Sequence, residues 1–248
     1  MKAFHFSALI QRERIIDNIV IRSRGWQSGA LMLLAPDLPG HGKPYPINWS
    51  AVTSLHVYAE FLFELCLLLE LERPVVLGCS IGGDISLDFA ANHSLELRAC
   101  ISQEGAARTP TFPDTKGIME PHAAMGGWES IREYAPAASL GPGCSAEQAE
   151  ELGWIHKGCS QRVMASDLIG WNAHDVRDKL QNISIPTLLI RGTADFYVPA
   201  EIVDETERAI KGAEQVVMDG VGHYPMYERP VEFNELVPEF LRRHDVIQ

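Results

Sequence analysis

Short apolar runs alternate with segments of helical periodicity along most of this 248-residue chain, and this rhythm restricts the folds open to it. The runs have the length of buried strands, and turn-forming residues follow several of them. Consecutive parallel strands need a crossover, usually a helix, so such alternation predicts a mostly parallel β-sheet with helices on both faces, an α/β fold. The predicted strands span residues 30–35, 75–77, 99–102, 186–190 and 215–218. Helices are predicted at 58–69, 82–93, 200–210 and 231–243.

The rhythm stops for roughly seventy residues in the middle of the chain and then resumes. Residues 106–179 are rich in glycine, proline, tryptophan and methionine, and we interpret them as an inserted, mainly helical cap. Residues 1–105 and 180–248 then form one core domain into which the cap is inserted.

Charge and apolar content exclude several classes of protein. The formal net charge of −12, with no basic stripe, disfavours nucleic acid and anionic lipid surfaces as partners. No apolar stretch approaches the ~18 residues of a membrane span, and the N-terminus becomes charged before a signal-like core develops. The expectation is a cytoplasmic protein that binds a small molecule.

Cysteine spacing gives no support to a disulfide framework or a metal site. The five cysteines form an odd set without a CxxC pair or a histidine at zinc-binding spacing. Reduced, mostly packed thiols are therefore expected, and neither a metal nor another cofactor is predicted.

The pentapeptide Gly78-Cys79-Ser80-Ile81-Gly82 fits the G-x-S-x-G pattern and lies between a predicted strand and a predicted helix. In such a nucleophile elbow the turn is so tight that a Cβ on either flanking glycine would clash. Two other Gly-Cys-Ser triplets, at 143–145 and 158–160, neither follow an apolar strand nor end in glycine. Ser80 is therefore the predicted nucleophile, and the N–H of Ile81 at the helix start is a predicted oxyanion donor.

A serine nucleophile needs a histidine base and an acid that orients it. Asp195 follows the strand at 186–190, and His223 lies in a glycine-flanked loop after the strand at 215–218. Their carboxyl-terminal positions would bring both to the sheet edge that carries Ser80. Glu104, after the strand at 99–102, is a reserve candidate for the acid. The order Ser80, Asp195, His223 is that expected of α/β-hydrolases.

Four segments carry a resemblance to the α/β-hydrolase family of esterases and lactonases: PDLPGHGK (36–43), VVLGCSIGG (75–83), LLIRGTADFYVP (188–199) and VGHYPMYERPVEFN (221–234). The resemblance covers nearly the whole chain outside the cap. It implies that an ester-like substrate acylates Ser80, that His223 relays the proton, and that water releases the acid. Asp195 occupies the family's acid position.

The N-terminus departs from the family pattern. His5-Phe6-Ser7-Ala8 resembles the family's His-Gly-Phe-Ser-Ala segment without its glycine. On that interpretation the chain starts at the end of the strand before this motif, the N-terminal edge strands are missing, and the N–H of Phe6 or Ser7 supplies the second oxyanion donor. The bare sheet edge would suit a homodimer.

Several functions are compatible with these motifs. The leading hypothesis is hydrolysis of a carboxylic ester, thioester or lactone, with Trp128, Trp171 and Met125 of the cap lining an apolar substrate pocket. The alternatives are a slow, ligand-binding relative and a carbon–carbon hydrolase, lyase or cofactor-free haloperoxidase with the same triad. Epoxide hydrolases and dehalogenases are disfavoured because they use an aspartate where Ser80 stands.

Overall fold

The computed structural model describes residues 19–24, 31–41, 52–110, 134–157 and 161–248, and in these residues a six-stranded sheet forms the centre of the molecule. The strands are β1 (Ile19–Arg24), β2 (Leu31–Leu34), β3 (Val75–Cys79), β4 (Ala99–Gln103), β5 (Thr187–Gly192) and β6 (Glu214–Met218). They lie side by side in the order β2-β1-β3-β4-β5-β6.

The four strands from β3 to β6 are parallel, which confirms the predicted α/β sheet. Their carboxyl ends therefore meet at one edge of the sheet. β1 is antiparallel to both of its neighbours, β2 and β3. Sequence analysis did not predict this strand, which lies between β2 and β3 in the sheet. The prediction that earlier edge strands are missing concerns residues 1–18, outside the described residues.

Four helices occupy the intervals that the periodicity indicates, two more lie in the cap segment, and a short seventh helix follows β6. They are α1 (Leu55–Leu68), α2 (Ile81–His93), α3 (Ala146–Lys157), α4 (Gln161–Asn172), α5 (Ala200–Ala209), α6 (Pro225–Glu228) and α7 (Pro230–Arg243). Proline begins both α6 and α7, where its missing N–H would have no helical partner in any case.

Helices bury the sheet on both faces, because successive side chains of each strand point to opposite sides. Val76 packs in a cluster with buried residues of α1, α2 and α5. Its neighbours Val75 and Leu77 pack in a second cluster with α7. This two-sided burial explains why β3, β4 and β5 each contain a run of three apolar residues, at 75–77, 99–101 and 188–190.

α3 and α4 lie in the segment predicted to be a cap, and the two ends of that segment are joined at the core. The N–H of Val176 donates to the carbonyl of Ala107 (2.8 Å), and Arg108 forms a β-bridge with Asp175. The division into cap and core remains a prediction. In the described part of the chain, no helix is both long enough and apolar enough to cross a membrane.

Candidate active site

Ser80 lies on a sharp turn between the end of β3 and the start of α2. Its backbone has φ 57° and ψ −124°, in the left-handed half of the map that non-glycine residues rarely adopt. A Cβ on Gly78 would lie 2.0 Å from the carbonyl oxygen of Gly82, so glycine is required where the sequence argument places it. The turn is anchored to the next strand because the Ser80 N–H donates to the Gln103 carbonyl (2.8 Å).

A second Gly-Cys-Ser triplet shows what the same three residues do elsewhere. Ser145 precedes α3, and its Oγ accepts the N–H of Gln148 (3.1 Å). In return, the Gln148 side chain accepts the N–H of Ser145 (2.9 Å). This reciprocal arrangement is a capping box, so Ser145 caps a helix on the surface and has no elbow around it.

Asp195 and His223 meet at the sheet edge that carries Ser80. Nδ1 of His223 lies 3.0 Å from Oδ2 of Asp195, and both side chains are almost completely buried. Oδ1 of Asp195 accepts the N–H of Tyr197 (2.8 Å). Burial alone would raise the pKa of Asp195, but hydrogen bonds from His223, Glu104 and the Tyr197 N–H lower it below its usual value. An ionised Asp195 that accepts Nδ1–H leaves Nε2 of His223 available as a base.

The backbone of His223 is fixed on both sides. Its N–H donates to the carbonyl of Ser139 (2.9 Å), and its carbonyl lies 3.4 Å from Sγ of Cys79. Burial raises the pKa of the Cys79 thiol well above its ordinary value, so the neutral thiol can donate to that carbonyl. His223 is thereby attached to the residue that precedes Ser80.

Glu228 binds the backbone of the loop that carries His223, and sequence analysis did not single it out. Its Oε2 accepts the N–H of Gly222 (2.8 Å) and its Oε1 accepts the N–H of Tyr224 (3.0 Å), so it binds the residues on either side of His223. Oε2 also accepts the N–H of Gly141 (2.8 Å). A glutamate five residues after a candidate base and two before a proline was the available sequence signal.

Another buried histidine adjoins this loop from α3. Nδ1 of His156 lies 2.9 Å from the carbonyl of Leu152, and Nε2 lies 3.1 Å from the hydroxyl of Tyr224. Burial lowers the pKa of His156 to about 4, so the ring is neutral near pH ~7 and Nε2 accepts from the tyrosine. His156 supports the residue next to His223 and does not itself have an acid partner in these contacts.

The reserve acid Glu104 directly follows β4 and is fully buried. One of its oxygens, Oε1, accepts a hydrogen bond from the N–H of Gly192 at the end of β5. The carboxyl group also lies against Asp195. Glu104 therefore contacts the predicted acid, whereas Asp195 is the residue bonded to His223.

Of the predicted oxyanion and substrate-binding residues, the structure describes Ile81 and Trp171. Ile81 is the first residue of α2, where its N–H has no partner within the helix. Trp171 is buried in the core, and its side chain donates to the buried carboxyl of Asp84. Its role in substrate binding remains a prediction. Phe6, Met125 and Trp128 lie outside the described residues.

Metal-binding side chains do not cluster in the described ranges: no group of three or more His, Cys, Asp or Glu is arranged to hold an ion. The acids at the sheet edge are engaged instead with His223, with backbone N–H groups and with each other.

Comparisons with known proteins agree with this architecture. The model of the Alpha/beta hydrolase family matches residues 22–236. A pimeloyl-[acyl-carrier protein] methyl ester esterase of Yersinia enterocolitica is 24% identical over 218 residues, which is 84% of this chain and 81% of that protein.

Solved structures also superpose on most of the chain. A thermophilic esterase of Thermogutta terrifontis has a TM-score of 0.74 and 24% identity, covering 86% of this chain and 80% of the other. The enol-lactonase of Burkholderia xenovorans has a TM-score of 0.72 and 23% identity, with the same coverage of 86% and 80%. These likenesses confirm the predicted fold.

Proposed function

Because this chain belongs to the alpha/beta hydrolase family, we propose that it hydrolyses carboxylic esters through an acyl-enzyme, with Ser80, His223 and Asp195 as its catalytic triad. The hydrogen bond between His223 and Asp195 is the observation that carries this proposal. It lies at the sheet edge where Ser80 connects the end of β3 to the start of α2. The esterase of Yersinia enterocolitica supports a carboxylic ester as the substrate class.

The reaction begins when Ser80 Oγ attacks the ester carbonyl. His223 Nε2 takes the serine proton, while Asp195 stabilises the imidazolium through Nδ1–H. Collapse of the tetrahedral intermediate expels the alcohol, which receives its proton from His223. Water then attacks the acyl-Ser80 ester with His223 again as base, and the acid product leaves.

Charge develops on the carbonyl oxygen during both steps. The N–H of Ile81 and the N-terminus of α2 can stabilise this oxyanion, because helix N-termini present unpaired donors and a partial positive charge. The N–H of Phe6 or Ser7 is the proposed second donor. The net charge of −12 favours neutral esters over multiply anionic ones.

Turnover of p-nitrophenyl butyrate, compared with methyl esters, a thioester and a lactone, tests the proposal. Ser80→Ala is expected to lower kcat at least ~10⁴-fold, because it removes the attacking oxygen. Ser145→Ala is the matched control from the other triplet: it removes a cap, costs about 1 kcal/mol of unfolding free energy and leaves kcat unchanged. Full activity in Ser80→Ala, or no turnover by the folded wild type, would overturn the proposal.

A further inference from the structure

Glu104 is a buried acid at the sheet edge that carries Ser80, and the proposed mechanism gives it no role. It follows β4, which lies between β3 with Ser80 and β5 with Asp195. Its side chain is 0% exposed, and its φ of 42° is in the left-handed region. Non-glycine residues held there cost free energy and cluster at functional sites. Ser80 and Glu104 are therefore strained residues at the ends of adjacent strands.

Glu104 contacts β5 at two residues and Asp195 in the loop that follows this strand. Its N–H donates to the Ile190 carbonyl (2.8 Å), and its Oε1 accepts from the Gly192 N–H. The carboxyl group lies against the Asp195 carboxyl group. Its Oε2 is buried and receives no hydrogen bond from the described residues, so it is the oxygen that can carry a proton.

The groups around Glu104 decide which of the two carboxyls carries the proton. Burial, and then the negative charge of Asp195, raise the pKa of Glu104 well above its usual value, and Glu228 adds to the effect. Cys79, Tyr197 and Tyr224 also face this site, and because the pKa of each is raised they are neutral at neutral pH and add no positive charge. Two adjoining buried carboxyls cannot both ionise at moderate cost.

Asp195 is the member of the pair that keeps its charge. It accepts Nδ1–H of His223 and the N–H of Tyr197, whereas within the described residues the N–H of Gly192 is the one backbone donor to Glu104. The donors therefore favour a proton on Glu104 and a carboxylate on Asp195.

We propose that Glu104 is a neutral carboxylic acid that donates a hydrogen bond to the Asp195 carboxylate, and that it is a positioning residue for the Asp195–His223 pair. Its kinetic role rests on the proposed function, because it acts on the reaction only through Asp195 and His223. No proton is transferred: Glu104 keeps its proton while His223 cycles between its neutral and charged forms.

A neutral Glu104 has a close chemical substitute. In Glu104→Gln the amide oxygen can accept the Gly192 N–H and the amide nitrogen can donate to Asp195. In Glu104→Met a side chain of similar length can do neither. An ionised Glu104, in contrast, would be poorly replaced by a donor.

Steady-state kinetics separate these cases. Glu104→Met is expected to lower kcat about 10- to 100-fold with little change in KM, because a hydrogen bond to a charged group is lost. Its pH profile should also shift, since the pKa of Asp195 rises when that donor is removed. Glu104→Gln should restore the wild-type profile and kcat to within about 3-fold. Equal losses in both variants, or no loss in either, would overturn the proposal.

Difference infrared spectroscopy at neutral pH tests the protonation state without any substrate. Wild type minus Glu104→Gln should contain the carbonyl band of a protonated carboxyl group. Asp84→Asn is the control, because burial also raises the pKa of Asp84 well above its ordinary value and its band should be a separate one. A carboxylate band in place of the Glu104 acid band would overturn the proposal, even if the protein proved not to be an esterase or Glu104→Met did not fold.

Discussion

Among the described residues, two His–Asp pairs have both side chains more than nine-tenths buried: His223 with Asp195, and His41 with Asp167. The distances are similar, 3.0 Å in the first pair and 2.7 Å in the second. Burial and a carboxylate partner therefore do not by themselves distinguish the proposed base His223 from His41.

The two pairs differ in the nitrogen used and in what surrounds the acid. Asp195 binds Nδ1 of His223 at the carboxyl end of the sheet, near the elbow of Ser80. Asp167 on α4 binds Nε2 of His41, and its other oxygen accepts the hydroxyl of Tyr58 on α1 (2.7 Å). The second pair joins α4 to α1 and to the turn before residue 42, which is a structural role.

Replacing each aspartate by asparagine should give the largest contrast between the pairs. Asp195→Asn removes the charge that stabilises the imidazolium and favours the wrong tautomer, so kcat for ester hydrolysis should fall about 10⁴-fold. Asp167→Asn should change kcat by less than about 3-fold, because the Asp167 carboxylate binds His41 and Tyr58 and not His223. Comparable losses of kcat in both variants would erase the functional distinction between the pairs.

Replacing His41 should lower the free energy of unfolding and leave kcat nearly unchanged. His41→Ala leaves the buried Asp167 carboxylate with one hydrogen-bond donor fewer, and we expect a loss of about 3 kcal/mol of unfolding free energy. Urea denaturation of the wild type and the variant measures this loss. In the folded fraction of His41→Ala, kcat should remain within about 3-fold of wild type. An unchanged stability with a large loss of kcat would place His41 in the catalytic machinery instead.

His156 adds a buried histidine whose partners are a carbonyl and a hydroxyl. Because burial lowers its pKa from 6.5 to about 4, the unfolded chain binds a proton at this residue before the folded one does. Its contribution to stability is thus complete above pH 6.5 and is lost as the pH falls towards 4.

Unfolding free energies of wild type and His156→Gln between pH ~7 and ~4 measure this effect. The wild type should lose up to about 3 kcal/mol more than the variant, since each pKa unit corresponds to about 1.4 kcal/mol. All other titrating groups are common to the two proteins, so they cancel in the comparison. Parallel curves would show that His156 is protonated equally in the folded and unfolded states.

The features that sequence analysis predicted well depend on local pattern. Buried strands and amphipathic helices have periods that can be counted, and the elbow needs glycine at fixed positions around Ser80. β1 was not predicted, because its antiparallel pairing with β3 depends on residues far away in the sequence. The proposed proton on Glu104 and the three backbone bonds of Glu228 could not be predicted either, because both depend on which groups the fold buries together.

Trp171 illustrates the same limit in the cap segment. Its apolar bulk fits a pocket wall and a core equally well in the sequence. The fold places it at 8% exposure beside Asp84, a partner 87 positions earlier in the chain. Only tertiary structure distinguishes these two environments.

Covalent labelling tests the central claim, that Ser80 is an activated nucleophile, most directly. Purified wild type, Ser80→Ala and Ser145→Ala would each be incubated with a fluorophosphonate probe, followed by intact mass measurement and peptide mapping. The account predicts one adduct, on Ser80, in the wild type and in Ser145→Ala, and none in Ser80→Ala. No adduct on the folded wild type, or an adduct that persists in Ser80→Ala, would contradict it.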